Sequence, residues 1–76
     1  MTTALRMRRT SSRARVLDFI EAYIEDHGYG PSIRDIAAGV GLASVSSAEY
    51  HLHQLEAEGC ITRAPKVPRS IRLVTP

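Results

Sequence analysis

The chain has a single cysteine in 76 residues, no acidic residue in positions 1–15 and none in 61–76. It also has no apolar run approaching the roughly 20 residues that span a bilayer. Each shortage excludes something. Cys60 alone cannot form an internal disulfide, which fits a reducing compartment. Without a long apolar run there is no transmembrane helix, and a basic N-terminus lacking a continuous apolar segment is not a secretory signal. Repeats and low-complexity tracts are absent too. The length fits one domain, near the lower size at which a core holds without disulfides or metal, with no room for a second, catalytic domain. The expectation is a soluble cytoplasmic protein with one folded unit over residues 10–76 and a flexible, arginine-rich arm over residues 1–9.

The formal net charge is only +2, but the charges are sorted. Residues 1–15 carry Arg6, Arg8, Arg9, Arg13 and Arg15, and residues 61–76 carry Arg63, Lys66, Arg69 and Arg72. Between them Arg34 stands alone against all eight acids. Cationic ends around an anionic body are an electrostatic footprint for phosphates; the plainer reading is that terminal arginines keep a small protein soluble.

Periodicity divides the middle into three helices. The first starts near Thr10 to Ser12 and runs to about His27, burying Val16, Leu17, Ile20, Tyr23 and Ile24, with Phe19 beside the stripe and Asp18, Glu21, Glu25 and Asp26 outside. Gly28-Tyr29-Gly30-Pro31 is turn chemistry. Ser32 is the expected cap of a second, short helix, with Asp35 where a capping box places Glu or Gln, and Ile33, Ile36, Ala37 and Val40 inward. Gly41 is the expected left-handed residue after it, and Leu42 tucks inward. Ser44 caps a third helix that runs to about Glu58, with Val45, Ala48, Leu52 and Leu55 inward and Ser46, Ser47, Tyr50, His53 and Gln54 on a polar face edged by Glu49. After Gly59 the period becomes two, predicting strands over 60–64 and 70–74 around Pro65-Lys66-Val67-Pro68-Arg69.

Two short helices joined at Val-Gly-Leu, then a basic hairpin, outline a helix-turn-helix with a wing. The fold class expected is mainly α with a small β-hairpin, a three-helix winged helix-turn-helix. A face of Ser, Tyr, His, Gln and Glu can read base edges without arginine: Gln bonds adenine, Glu accepts from cytosine N4, and Ser serves either. The plainer reading has the serines only capping and Glu49 paired with a nearby cation. Arg34 is a candidate phosphate clamp, or a partner for Asp35 or Glu49. Arg13, His53, Arg63, Lys66, Arg69 and Arg72 complete the candidate phosphate ligands. His27, His51, His53 and Cys60 could bind zinc in principle, but His51 and His53 are two apart on a helix and point to different faces, so neither metal nor cofactor is expected. His51 reads as a partly buried packing residue. Ser47 and His51 are four apart and could touch, yet an exposed helix supplies no oxyanion hole, so no enzyme is expected.

The motifs carry a resemblance. G-Y-G-P, S-I-R-D-I-A, V-G-L, S-x-S-S-A-x-x-H-L-x-x-L-E-x-x-G and K-x-P-R-S-I-R-L, in that order from about Thr10 to Val74, resemble the N-terminal winged-helix DNA-binding domain of LexA-type SOS repressors. The resemblance implies double-stranded DNA as partner, through a pseudo-palindromic operator bound as a possible homodimer, with the third helix in the major groove and the wing on the backbone. It implies a bacterial or phage-type protein, nucleoid-associated when bound. Base contacts carried over from the family fall on Ser44, Ser46, Ser47, Glu49 and Tyr50; Ser47 and Tyr50 depart from the enterobacterial pattern, so the operator sequence does not carry over. Family repressors add a C-terminal domain with a serine–lysine dyad, and position 76 is where the linker to it would begin, so self-cleavage is not expected within these residues. The expectation is an excised domain or a free-standing LexA-like protein. A rival use of the same fold is a protein-interaction module that meets another regulator or a polymerase through its acidic body.

Overall fold

The computed structural model describes residues 11–64 and 66–74; the expected arm over residues 1–9 lies outside the described residues. Helices α1 (Ser12–His27), α2 (Ile33–Val40) and α3 (Val45–Ala57) are followed by strands β1 (Ile61–Thr62) and β2 (Arg72–Leu73), paired antiparallel. This is the mainly helical, winged helix-turn-helix arrangement that period and turn chemistry predicted.

Each helix starts on a serine. Ser11 caps α1, its Oγ accepting from the Ala14 N–H at 3.2 Å. At α2 the capping box is complete: the Asp35 N–H donates to Ser32 Oγ at 3.0 Å and the Ser32 N–H donates to Asp35 Oδ2 at 3.1 Å. Aspartate therefore fills the position usually held by Glu or Gln. Gly41 ends α2 with φ 81°, and the N–H groups of Gly41 and Leu42 both donate to the Ala37 carbonyl, at 3.0 and 2.8 Å. Arg15 donates to the Val40 carbonyl at 2.6 Å, satisfying another acceptor that the helix end leaves open. This arginine, counted in sequence with the cationic N-terminal end, holds α1 to the turn.

Val16, Ile20, Ile36, Ala37, Val40, Ala48, Leu52 and Leu55 form the core, closed from below by Ile61 and Ile71 of the hairpin. Leu17, Phe19, Ile24, Ile33, Leu42 and Leu73 pack half-buried around it. One expectation fails: Val45 is 44% exposed rather than inward. Helical spacing assigns a residue to a stripe without saying where the stripe leaves the core, and Val45 lies one turn ahead of Ala48, the first buried residue of α3.

The hairpin is also shorter than predicted. Ile61 faces Leu73 and Thr62 faces Arg72, and the Val74 N–H donates to the Cys60 carbonyl at 3.0 Å. Beyond Thr62 a side chain replaces the ladder: Ser70 Oγ accepts from the Ala64 N–H at 3.0 Å and donates to the Ala64 carbonyl at 3.1 Å. Lys66 (φ 63°) and Arg69 (φ 57°) then adopt left-handed conformations that no strand tolerates.

The G-Y-G-P loop is pressed onto the hairpin. Gly30 is buried, and a Cβ there would collide with the Ile71 backbone, meeting its carbonyl oxygen and standing 3.2 Å from its carbonyl carbon. Backbone cannot rotate away as a side chain can. Gly30→Ala is expected to destabilise the domain by about 1–3 kcal/mol, the usual cost of overpacking, read as a lower urea midpoint with unchanged slope. A midpoint equal to wild type would show that loop and wing are not held together.

Candidate nucleic-acid interface

Ser44 begins α3 in an extended conformation, and its Oγ accepts from the Ser47 N–H at 3.3 Å while lying 3.4 Å from Ser47 Oγ. These two hydroxyls are therefore partly spent on the first turn. Ser46 is exposed, and Tyr50 is 56% exposed with its ring edge-on to His51 at 5.5 Å between centroids. Ser46, Tyr50 and His53 are exposed on the outward polar face that the spacing predicted, while Ser47 and Gln54 of that face are half-buried. His51 is half-buried, as its place beside Leu52 and Leu55 suggested.

Glu49, at the edge of that face, is held from two sides. Arg63 donates to it through both terminal nitrogens, at 2.8 Å to Oε2 and 3.4 Å to Oε1, and His53 Nε2 lies 3.0 Å from Oε2. The Nε–H of Arg63 donates to Glu56 at 3.2 Å. Glu49 and Glu56 lie two helical turns apart on one side of α3, and the Arg63 side chain, 15% exposed, bridges them from the root of the wing. Hydrogen bonding from Arg63 outweighs partial burial and holds the Glu49 carboxyl below its ordinary value of 4.5, while the same bond raises the guanidinium.

Arg69 is engaged as well. It donates to Tyr23 Oη at 2.9 Å and to Asp35 Oδ2 at 3.1 Å, and its guanidinium carbon stands 5.4 Å from the centre of the Tyr29 ring. The Ser32 N–H, with help from Arg69, keeps the Asp35 carboxyl below 3.8. Arg13 pairs with Glu58 at 2.7 Å, joining the start of α1 to the end of α3. By contrast Arg34, Lys66 and Arg72 are exposed, and among the described residues none of them has a carboxylate within ion-pair distance. Arg34 does not take Asp35 or Glu49, because Arg69 and Arg63 already have them.

A groove of about 740 Å³ runs between α3 and the wing, bordered by Ile33, Arg34, Val45, Glu49, Lys66 and Val67. Two unpaired cations, Arg34 of α2 and Lys66 of the wing, thus line one channel beside the polar face of α3. Among the described residues no group of three or more His, Cys, Asp or Glu side chains could hold a metal ion, and no helix is long and apolar enough to cross a membrane.

Residues 7–70 match the LexA DNA binding domain family. The chain belongs to that family. The LexA repressor of Carboxydothermus hydrogenoformans is 43% identical over 60 residues, covering 79% of this chain and 29% of the relative. The LexA repressors of Bacillus mycoides and Bacillus thuringiensis are each 43% identical over 65 residues, covering 86% of this chain and 32% of theirs. The chain therefore spans less than a third of the length of these relatives. The matched unit is a DNA-binding domain, not a catalytic one.

In this LexA-family domain the cations expected to seek phosphate divide into two sets. Arg13, Arg63 and Arg69 join elements of the fold, as does Arg15; Arg34, Lys66 and Arg72 remain open. The sequence held a partial signal for the first set, since Arg63 is the first cation after a helix carrying two carboxylates on one side. It held none for Arg69, whose partners lie 34 and 46 positions away.

The carboxylate shifts fix an acid dependence. A carboxylate with a depressed folded-state pKa contributes its full stability above its unfolded value and loses it as pH falls through the folded value. Melting temperature is expected to decline as pH drops below about 4.5, and Glu49→Gln is expected to flatten that decline. Identical acid dependence in both proteins would sink this role for the Arg63–Glu49 pair.

Proposed function

We propose that this domain binds operator DNA as part of a LexA-like transcriptional repressor, with α3 in the major groove and the wing along the backbone. The observation that carries this is the groove itself: unpaired Arg34 and Lys66 both line it, beside a helix that exposes Ser46, Tyr50 and His53. Ser46 and Tyr50 read bases from the first two turns. Glu49 contributes to reading with the acceptor capacity that Arg63 and His53 leave, one of about four lone-pair sites. Ser44 and Ser47 mainly set the first turn and offer their remaining hydroxyl valence. Arg34, Lys66 and Arg72 take phosphates; Arg13, Arg63 and Arg69 act indirectly, by fixing the surfaces that carry them. The operator is a pseudo-palindrome of the SOS type, and two copies on it occupy half-sites spaced by about one helical turn.

The rival role, a protein-interaction module, draws on Asp18, Glu21, Glu25 and Asp26, all exposed along α1. The two separate on salt. Fluorescence anisotropy against a LexA-type palindrome and a randomised duplex, at low and moderate salt, is expected to show a preference for the palindrome that survives added salt. Arg34→Ala and Lys66→Ala are each expected to weaken all duplexes alike and to reduce the slope of log K against log salt by about one. Ser46→Ala and Tyr50→Phe are expected instead to change which sequences are preferred. No binding, or binding indifferent to sequence, would favour the protein-interaction role.

A further inference from the structure

Val45 is the one exposed apolar side chain in the first turn of α3, and it stands 44% exposed beside Ser46 on the surface assigned above to DNA. The helical pattern would have it inward, yet it lies outside the buried core. It borders the groove between α3 and the wing, which Val67, itself 54% exposed, also lines. As the first helical residue after the Ser44 cap, Val45 has a Cα–Cβ bond tilted toward the helix N-terminus. In a helix-turn-helix that end of the helix makes the base contacts. A valine can neither donate nor accept a hydrogen bond. The only major-groove feature it can distinguish is the C5 methyl of thymine, which no other base presents.

We infer that Val45 is a specificity residue that packs on a thymine methyl in each operator half-site. The inference rests on the DNA-binding role proposed above and adds a contact of a different chemistry from the hydroxyls and carboxylate beside it. It also accounts for the exposure: contact with a methyl removes from water an apolar surface that the free domain leaves wet, and hydroxyl-bearing neighbours cannot substitute for it.

The test is a methyl scan. The tightest duplex selected from a randomised pool is remade with each thymine replaced in turn by deoxyuridine, which deletes only the methyl, and titrated with wild type and Val45→Ala. One replacement per half-site is expected to weaken wild type about fourfold, the equilibrium equivalent of one buried methyl group. At that position Val45→Ala is expected to be indifferent to the methyl while responding like wild type to every other replacement. Val45→Thr keeps the shape and adds a hydroxyl, and is expected to recover part of the methyl dependence. Equal methyl profiles for wild type and Val45→Ala, or no methyl-sensitive position in a duplex still preferred over the pool, would overturn the inference and leave the DNA-binding role standing. If selection enriches no duplex at all, the role itself fails. Because Val45 is outside the core, Val45→Ala is expected to melt with wild type, so a change in binding is not a change in folding.

Discussion

Arg63 is the constraint on which the arrangement of α3 and the wing depends. A single guanidinium at the root of the wing spans Glu49 and Glu56 of α3, and its side chain is 15% exposed. Exposed ion pairs are worth little, because water screens them and two long side chains must be immobilised. Here the geometry is bidentate on Glu49, a second carboxylate takes the Nε–H, and most of the side chain is out of solvent, which moves the interaction toward the stronger, charge-assisted class. Its effects reach further than its energy. It offsets part of the negative charge of Glu49 and Glu56 on α3, points the Glu49 carboxylate, and pins the wing to the helix it flanks.

The same logic runs through the other cations. Arg13 ties α1 to the end of α3, Arg15 seals the carbonyl end of α2, and Arg69 fastens the wing tip to Tyr23 and Asp35. A 76-residue domain with a small core has few apolar contacts to spare. Arginine suits this use because its fork of donors meets several acceptors at once while its stem covers apolar surface. The cost is a smaller reserve of free charge: of the bases in the described residues, Arg34, Lys66 and Arg72 alone are exposed without an ion pair or a hydrogen-bond partner. Non-specific affinity for nucleic acid scales with the number of phosphates neutralised, so each arginine used inside the fold is one fewer for that purpose.

Rigidity of the wing follows from contacts at both of its ends. At the root, Gly30 abuts the Ile71 backbone and Ile61 and Ile71 enter the core. At the tip, the Ser70 hydroxyl closes on Ala64 and the left-handed Arg69 reaches Tyr23, Asp35 and the Tyr29 ring. A two-residue ladder alone would be marginal in water. These contacts set where the wing stands beside α3, and so the groove between them.

Local chemistry sufficed for much of this. Serine caps, the Ser32–Asp35 box, glycines past the helix ends and the 3.6-residue stripe are decided within a few residues, and each is where the spacing placed it. The order of the elements follows from them, and so does the polar outer face of α3. Val45 and the strand lengths were not legible, because a stripe does not declare where its neighbours stop and a serine side chain took the place of a ladder bond. The fate of the arginines was the least legible, since charge is written in the sequence but pairing depends on which carboxylate the fold brings within about 4 Å. The chain by itself determined its helices, its turns and the sign of its ends; the tertiary structure alone decided which cations remain open, because an ion pair between residues tens of positions apart exists only once the core has closed.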